Sequence, residues 1–529
     1  MLRSPRHATV WQIAALAAVG LLYLIPRQHV FTIDSYYYLW DVEFGEWSRL
    51  LHPHHLALQP LQRVWWRLWT WFDWPGRAVL PLQLLSLALT LGTLVVVWRL
   101  LMRLLGQRRI LAAAWWSVVA FSYLTWSQAT QTDSLPLFAL FAALYLLWAV
   151  RLPQDGRSDH RTALSLAAVM AGGVLAHQML VLATPLLAWM FWREAPTHRR
   201  WSLAALSLGT AGGATLVVYL SAGMVATGSA APGELMAWFL GYSQEFAGRY
   251  GSLSNMVSFD ALRGVASAFL TGDPLKPYLF GDRDYGLSAM IVALPFVLLG
   301  GFLFSRLMDL ARKLRRFDPV TRRLVLNVAL LAGLTVVFAT WWDPGQRKFW
   351  APALVGLVTL LAAGSRPAGE SKQSLTVALP TVALAAVLLG YNLAGGILPR
   401  HRTHDAVQPL LTFLVRHVDS DDVMVLEEDR VWQAAIYYRP EQRVHGIPGP
   451  LSDRGDNAST VFQTAARDAH DALVNGGDLF VVESQWPVLR ARLEKDLGPL
   501  PEPEILLLYG DWQLGPAGQR LLLVRLPRG

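Results

Sequence analysis

The chain alternates apolar runs long enough to cross a bilayer with short polar connections, and this limits what it can fold into. The runs fall at residues 9–25, 79–98, 110–126, 134–150, 162–176, 178–192, 201–222, 286–305, 324–340, 349–365 and 374–396. In hydrocarbon each backbone N–H and C=O must be satisfied within its own segment, so runs of this kind predict helices. The expected fold is therefore a polytopic α-helical membrane protein of about eleven spans. With 53% hydrophobic and only 16% charged residues over 529 positions, a soluble enzyme is excluded. Many tryptophans, among them Trp65, Trp66, Trp69, Trp126, Trp341 and Trp342, sit at the ends of apolar runs, where an amphipathic ring suits the headgroup region. There is no cysteine, which removes disulfides, thiol chemistry and Cys-ligated zinc or iron–sulfur centres.

The net charge of +8 does not point to nucleic acid, because most basic residues lie in short loops between apolar runs. They report topology instead. Arg3 and Arg6 precede the first run and no small-residue cleavage site follows before Pro26, which predicts an uncleaved anchor with a cytoplasmic amino terminus. Splitting 162–192 into two short spans meeting at His177 makes the predicted cytoplasmic loops about fourfold denser in Lys and Arg than the outer ones. Merging them would place the basic stretch Arg306 to Arg323 outside. Two domains are expected: a membrane domain over 1–400, with long outer connections at 26–78 and 223–285, and a soluble domain over 401–529. The first connection should hold interfacial helices near Asp34–Leu51 and Leu58–Phe72. The second domain alternates predicted helices (Asp405–His417, Val461–Leu473, Pro487–Leu497) with short strands (Val423–Leu426, Leu479–Val482, Glu504–Tyr509, Arg520–Arg525), which argues a small extracytoplasmic α/β unit. It carries no glycine-rich phosphate fingerprint.

Span parity places the rare polar residues on one side. Asp34, Asp41 and Glu43 lie early in the first outer connection, followed by His52-Pro53-His54-His55; Asp133, His177, Asp343, Arg347 and Lys348 come from later ones. Carboxylates and imidazoles at a membrane boundary, where desolvation moves their pKa values, suit proton transfer or metal binding. Simpler roles exist for each: Asp133 as a helix-start acid, His177 as a packing residue, Asp343 to Lys348 as a turn. Two cations on the outer side run against the topological bias and suit an anionic phosphate.

In these residues the sequence resembles the GT-C superfamily, membrane glycosyltransferases that use polyprenyl-phosphate sugars, such as mannosyltransferases and lipid A aminoarabinose transferases. The resemblance rests on Asp34 with its following His-Pro element, Gln131-Thr132-Asp133 opening a span, Ala176-His177-Gln178, and Arg347-Lys348-Phe349-Trp350-Ala351-Pro352 heading a late span. It implies Asp34 as the base or acceptor-orienting carboxylate, Asp133 as a second acidic member and a variable outer domain after the last span. The first connection reads Asp34-Ser35-Tyr36 instead of a strict acidic pair, so Asp41 and Glu43 are alternatives for the second acidic role. His52, His54, His55 and His177 line the same side, as substrate contacts or, with Asp34, as ligands of a divalent metal; their spacing defines no coordination geometry. The implied partners are a polyprenyl-phosphate sugar donor, the lipid bilayer and an extracytoplasmic acceptor, with no nucleic acid, in a bacterial inner membrane. The rival readings are a transporter or flippase of a lipid-linked substrate and a non-catalytic envelope assembly subunit. Transporters, however, place polar residues at mid-span in repeat-related halves, and neither feature is visible.

Overall fold

A computed structural model of the chain describes residues 5–29, 31–106, 108–155, 158–245, 251–257, 260–275, 286–366, 375–400, 417–427, 430–438, 440–447, 457–483, 486–497, 504–514 and 519–526. Two compact units result: Met1–Gln28 with Asp41–Pro399, and His29–Trp40 with Arg400–Gly529. The short segment 29–40 thus groups with the carboxy-terminal residues, whereas the sequence reading placed it in the membrane domain.

The first unit is helical: α1 Pro5–Leu24, the last turn of α2 Ile33–Glu43, α3 Leu58–Trp71, α4 Val79–Leu104, α5 Arg109–Phe121, α6 Tyr123–Ala129, α7 Leu135–Asp155, α8 His160–Ala176, α9 Thr184–Glu194, α10 Arg200–Thr227, α11 Pro232–Glu245, α12 Asp260–Phe269, α13 Leu287–Leu314, α14 Pro319–Trp342, α15 Ala351–Gly364 and α16 Leu375–Asn392. A helix occupies each of the eleven apolar runs. Six of these helices are long and apolar enough to cross a membrane singly, and α5 with α6 forms a seventh candidate bent by 60°. The others are shorter. Core packing is led by α4 against α7, α8 against α10, α5 against α16 and α14 against α15.

The bundle is interrupted where its polar residues lie. Ser122 takes extended angles (φ −62°, ψ 141°) between α5 and α6 and turns its hydroxyl back on the Val119 carbonyl at 2.7 Å. His177 is extended (φ −162°, ψ 123°) between α8 and a 3₁₀ segment Gln178–Ala183, so the break expected at this residue is present. At its end α16 widens into a π turn at Leu393–Ile397. There Gly396 lets the backbone lie against Tyr123 and Thr271; a Cβ would come within 2.5 Å of the Tyr123 ring.

One buried side chain joins two of these irregular places, the α5–α6 break and the π turn, to the end of α12. Asn392 accepts a hydrogen bond from the Thr271 amide (2.9 Å) and donates to the carbonyls of Phe121 (2.9 Å) and Phe269 (2.7 Å). These groups stand at the ends of α5 and α12, where the helical ladder stops and no water is at hand in an apolar core.

The carboxy-terminal unit has a five-stranded sheet in the order β2-β1-β3-β5-β4, made of β1 Val423–Glu427, β2 Arg443–Ile447, β3 Leu479–Val482, β4 Glu504–Leu514 and β5 Gln519–Arg525. The first three strands run parallel, and β5 is antiparallel to both β3 and β4. Helices α17 Arg430–Tyr438, α18 Asn457–Val474 and α19 Trp486–Leu497 accompany it. Val423, Val425, Leu479, Val481, Leu522 and Val524 pack against Ala465, Ala469, Leu489 and Leu493 to form its core. At the start of β3 Arg525 pairs with Asp478, and the Asp422 carboxylate accepts from the Asp478 amide at 2.7 Å. The sequence reading missed α17 and β2. The first follows an acidic run that hides its start, and the second, Arg-Val-His-Gly-Ile, has little strand propensity. Most of the helix expected at Asp405–His417 lies outside the described residues.

Replacing Asn392 by Leu leaves one amide and two carbonyls unpaired in the core. The variant is expected to lose about 2–5 kcal/mol of stability, read as a lower melting temperature in detergent. An unchanged melting curve would show that the three bonds are dispensable.

Candidate functional site

In the membrane unit, the segment leading into α7 is buried and held by glutamine amides. Gln83 donates to the carbonyls of Thr130 (2.7 Å) and Gln28 (2.9 Å), Gln131 donates to the Gln28 side chain (2.8 Å), and Gln62 donates to the Thr132 carbonyl (3.1 Å). Asp133 follows, 4% exposed, and its carboxylate accepts from the Ser134 amide at 2.5 Å and hydroxyl at 3.1 Å. Sequence reasoning missed Gln28, Gln62 and Gln83. Only Gln83 left a signal there, as a polar interruption near the start of an apolar run.

The histidines, distant in sequence, come together. The turn Pro53–His55 stacks the His52 and His55 rings (centroids 5.6 Å apart, interplanar angle 16°), and His55 lies 4.8 Å from His177. His177 stacks on Phe138 at 4.6 Å and meets the edge of Phe349 at 6.0 Å. The turn is tied down by the Tyr219 hydroxyl on the Pro53 carbonyl (2.7 Å) and by the Ala57 amide on the Leu175 carbonyl (2.8 Å). Lys348 is close enough for its charge to act on His54 and His55. Burial pushes the His54 imidazole down to about 4, with the His52 and Lys348 charges adding to this and Gln178 opposing it. His55 is held well below the ordinary imidazole range by burial first, then by His177, His52 and Lys348.

These rings do not present themselves as a metal centre. Nδ1 of His52 accepts from the His54 amide (3.3 Å) and Nδ1 of His177 from the Met179 amide (3.2 Å). Among the described residues no group of three His, Asp or Glu is arranged to hold a metal ion.

Asp343 accepts from the Gly345 amide at 3.0 Å and so shapes the turn ahead of α15. Arg347 is directed elsewhere. Its guanidinium lies 4.8 Å from the Tyr123 ring and 4.0 Å from the Asp273 carboxylate, a partner that the sequence reading did not single out. Asp273 is itself fixed by the Thr271 hydroxyl at 3.1 Å. The Lys348 ammonium sits 5.7 Å from the Phe349 ring.

The two alternatives for a second acid differ in their surroundings. Both Glu43 oxygens are engaged, one by Arg77 and one by the Ala78 amide, each at 3.1 Å. Asp41 accepts from Gln59 at 3.2 Å, while Arg63 donates to the backbone carbonyls of Asp41 (2.6 Å) and Gly45. Desolvation raises the Asp41 carboxyl above the usual range, against the opposing effects of Gln59, Arg49 and Arg63.

Asp34 belongs to the other unit. Thr32 caps its helix, the hydroxyl accepting from the Ser35 amide at 3.2 Å. This leaves Asp34, half-buried, in the first turn at the positive end of the helix dipole.

With this geometry in place, the fold can be compared with known structures. No protein-family model matches the chain, and no curated protein matches it by sequence. Among solved structures it is similar to ArnT from Cupriavidus metallidurans bound to undecaprenyl phosphate, with TM-score 0.63 and 13% identity, covering 99% of this chain and 100% of that one. ArnT in the apo state matches with TM-score 0.61 over 98% and 99% of the two chains, again at 13% identity. The apo oligosaccharyltransferase of Archaeoglobus fulgidus matches with TM-score 0.51 and 14% identity, covering 92% of this chain and 72% of that one. The chain thus shares the fold of ArnT and, more loosely, of that oligosaccharyltransferase. The match to ArnT runs through both units, from the first helix to the terminal sheet.

Both low-lying imidazoles fix a pH dependence. Folded, His54 and His55 stay neutral where the unfolded chain takes up protons near pH 6.5. Their contribution to stability is present above about pH 6.5 and is lost as the pH falls toward 4, the folded-state value of His54. Melting temperatures from pH 7.5 down to 4.5 are expected to fall more steeply in the wild type than in a His54→Asn, His55→Asn variant. Parallel curves would remove the histidines from the account.

Proposed function

We propose that this protein is a membrane glycosyltransferase that moves a sugar from a polyprenyl-phosphate-linked donor to an extracytoplasmic acceptor, with inversion. The observation that supports this best is the similarity over nearly the whole of both chains to ArnT, whose structure was solved with undecaprenyl phosphate. The topology that goes with this reading has eleven spans in a bacterial inner membrane, a cytoplasmic amino terminus and a periplasmic carboxy-terminal domain. The membrane domain is 1–400 and the outer domain 401–529.

The chemistry asks little of the protein, because the sugar already carries a phosphate leaving group. Asp34 takes the proton from an acceptor hydroxyl as its oxygen attacks the anomeric carbon. The bond from that carbon to the phosphate oxygen breaks, and the lipid phosphate leaves with the electron pair. Arg347 and Lys348 stabilise the charge that develops on it. Asp133 supports the acidic side of the site, with Asp41 or Glu43 as the other candidate, and His52, His54, His55, His177 and Asp343 contribute substrate contacts. A single in-line displacement inverts the anomeric centre.

The test is transfer of radiolabelled sugar from a panel of polyprenyl-phosphate sugars into envelope material, with membranes holding equal amounts of inserted wild type or Asp34→Asn. Transfer by the wild type and a loss of at least ~100-fold in the variant are expected. Transfer undiminished in Asp34→Asn would remove the proposed base, and none from any donor would favour the flippase or assembly-subunit readings.

A further inference from the structure

The carboxy-terminal unit contains more than the residues after the last span. The segment that carries Asp34, residues 29–40, groups with it, and the contacts that join them are specific. The His29 amide donates to the Arg400 carbonyl at 3.0 Å. Tyr36, 2% exposed, meets the edge of Phe31 (centroids 5.5 Å apart) and packs beside both Tyr437 (6.3 Å) and Tyr438 (6.5 Å). Those two rings contact each other at 5.0 Å.

Both tyrosines end α17, and α17 is seated on the sheet. Ala434, Ala435 and Tyr437 are buried, and the Trp432 indole lies against β2 where Gly446 has no side chain to obstruct it; a Cβ there would stand 2.6 Å from the ring. A continuous path of packed groups therefore runs from the parallel strands through α17 to the helix that bears Asp34. On that helix Tyr36 is two residues beyond Asp34, about 200° around the axis. The aromatic contacts grip one face, and Asp34 is carried on the other.

We propose that Tyr437 and Tyr438 are positioning residues: they clamp Tyr36 and so fix the orientation of the Asp34 carboxylate, making the carboxy-terminal unit part of the catalytic apparatus. This rests on the reading of Asp34 as the base. A carboxylate displaced by about 1 Å from its productive position is enough to cost on the order of 100-fold in rate, which sets the scale of the effect. The ring contacts carry the clamp, so Tyr438→Phe retains it and Tyr438→Ala breaks it.

The experiment measures kcat, donor KM and the pH profile of kcat for full-length wild type, Tyr438→Phe, Tyr438→Ala and His445→Ala. The last breaks a 2.8 Å contact with Asp468 that takes no part in the clamp and serves as the control for disturbance of the unit. Tyr438→Ala is expected to lower kcat ~10- to 100-fold, leave the donor KM within about twofold and move the acid-side inflection of the kcat profile. Tyr438→Phe and His445→Ala should behave as wild type. Loss of active protein alone scales the profile without moving it, so a scaled or unchanged profile for Tyr438→Ala overturns the clamp. If that variant does not fold, Tyr438→Leu, which keeps apolar bulk without a ring, is read by the same criteria. Failure of the wild type to transfer sugar sinks the glycosyltransferase reading itself and is distinguishable from any of these results.

Discussion

A bundle this apolar has no water with which to satisfy a backbone group released by a broken helix, and the rest of the membrane unit follows from how each break is answered. The kink after Phe121 exposes a carbonyl, which Asn392 takes up together with that of Phe269. Just before the kink, the Ala120 carbonyl accepts from the Tyr23 hydroxyl. The nonhelical stretch before α7 gives the Thr130 and Thr132 carbonyls to Gln83 and Gln62. At the end of α8 the His177 ring accepts from an amide two residues later. Each of these polar side chains thus supports a particular departure from the helix.

The same breaks bring the candidate residues to helix ends. Asp133 precedes α7, His177 follows α8, and Arg347 and Lys348 precede α15. A chemical group at such a place has backbone fixed on one side by a long packed helix and on the other by buried hydrogen bonds. This is the support a preorganised site requires, since little reorganisation is left to occur during reaction. Irregular backbone, costly elsewhere in the bundle, is retained where it holds polar groups.

Much of this was legible in the sequence because the apolar periodicity and the turn residues are local signals. The eleven runs, the break at His177, the strand at Leu479–Val482 and the helix after Pro487 all stand near where they were expected. The convergence of His52 to His55 with His177 was legible only as a common sidedness. Their stacking depends on α8 and the Pro53 turn being tied through Leu175 and Tyr219, which no spacing reveals. Asp273 was missed because nothing around it in sequence sets it apart. The grouping of residues 29–40 with the carboxy-terminal unit depends on Tyr437 and Tyr438, about four hundred positions further along the chain. Pairings at that separation leave no local pattern.

The choice between Asp41 and Glu43, open in the sequence, narrows once their partners are known. Glu43 has one oxygen on Arg77 and the other on the Ala78 amide, which commits the carboxylate to holding the start of α4. Asp41 is held differently. Its carboxylate accepts from a neutral amide, Gln59, and desolvation raises its pKa despite Arg49 and Arg63. Arg63, the nearest buried cation on α3, spends its donors on backbone carbonyls, so the carboxylate is not neutralised by a direct bidentate pair. A carboxyl whose neutral form is brought closer to physiological pH is the better suited to share or relay a proton. Of the two, Glu43 is the one whose surroundings fit a structural clasp, and Asp41 is the one whose carboxyl burial raises.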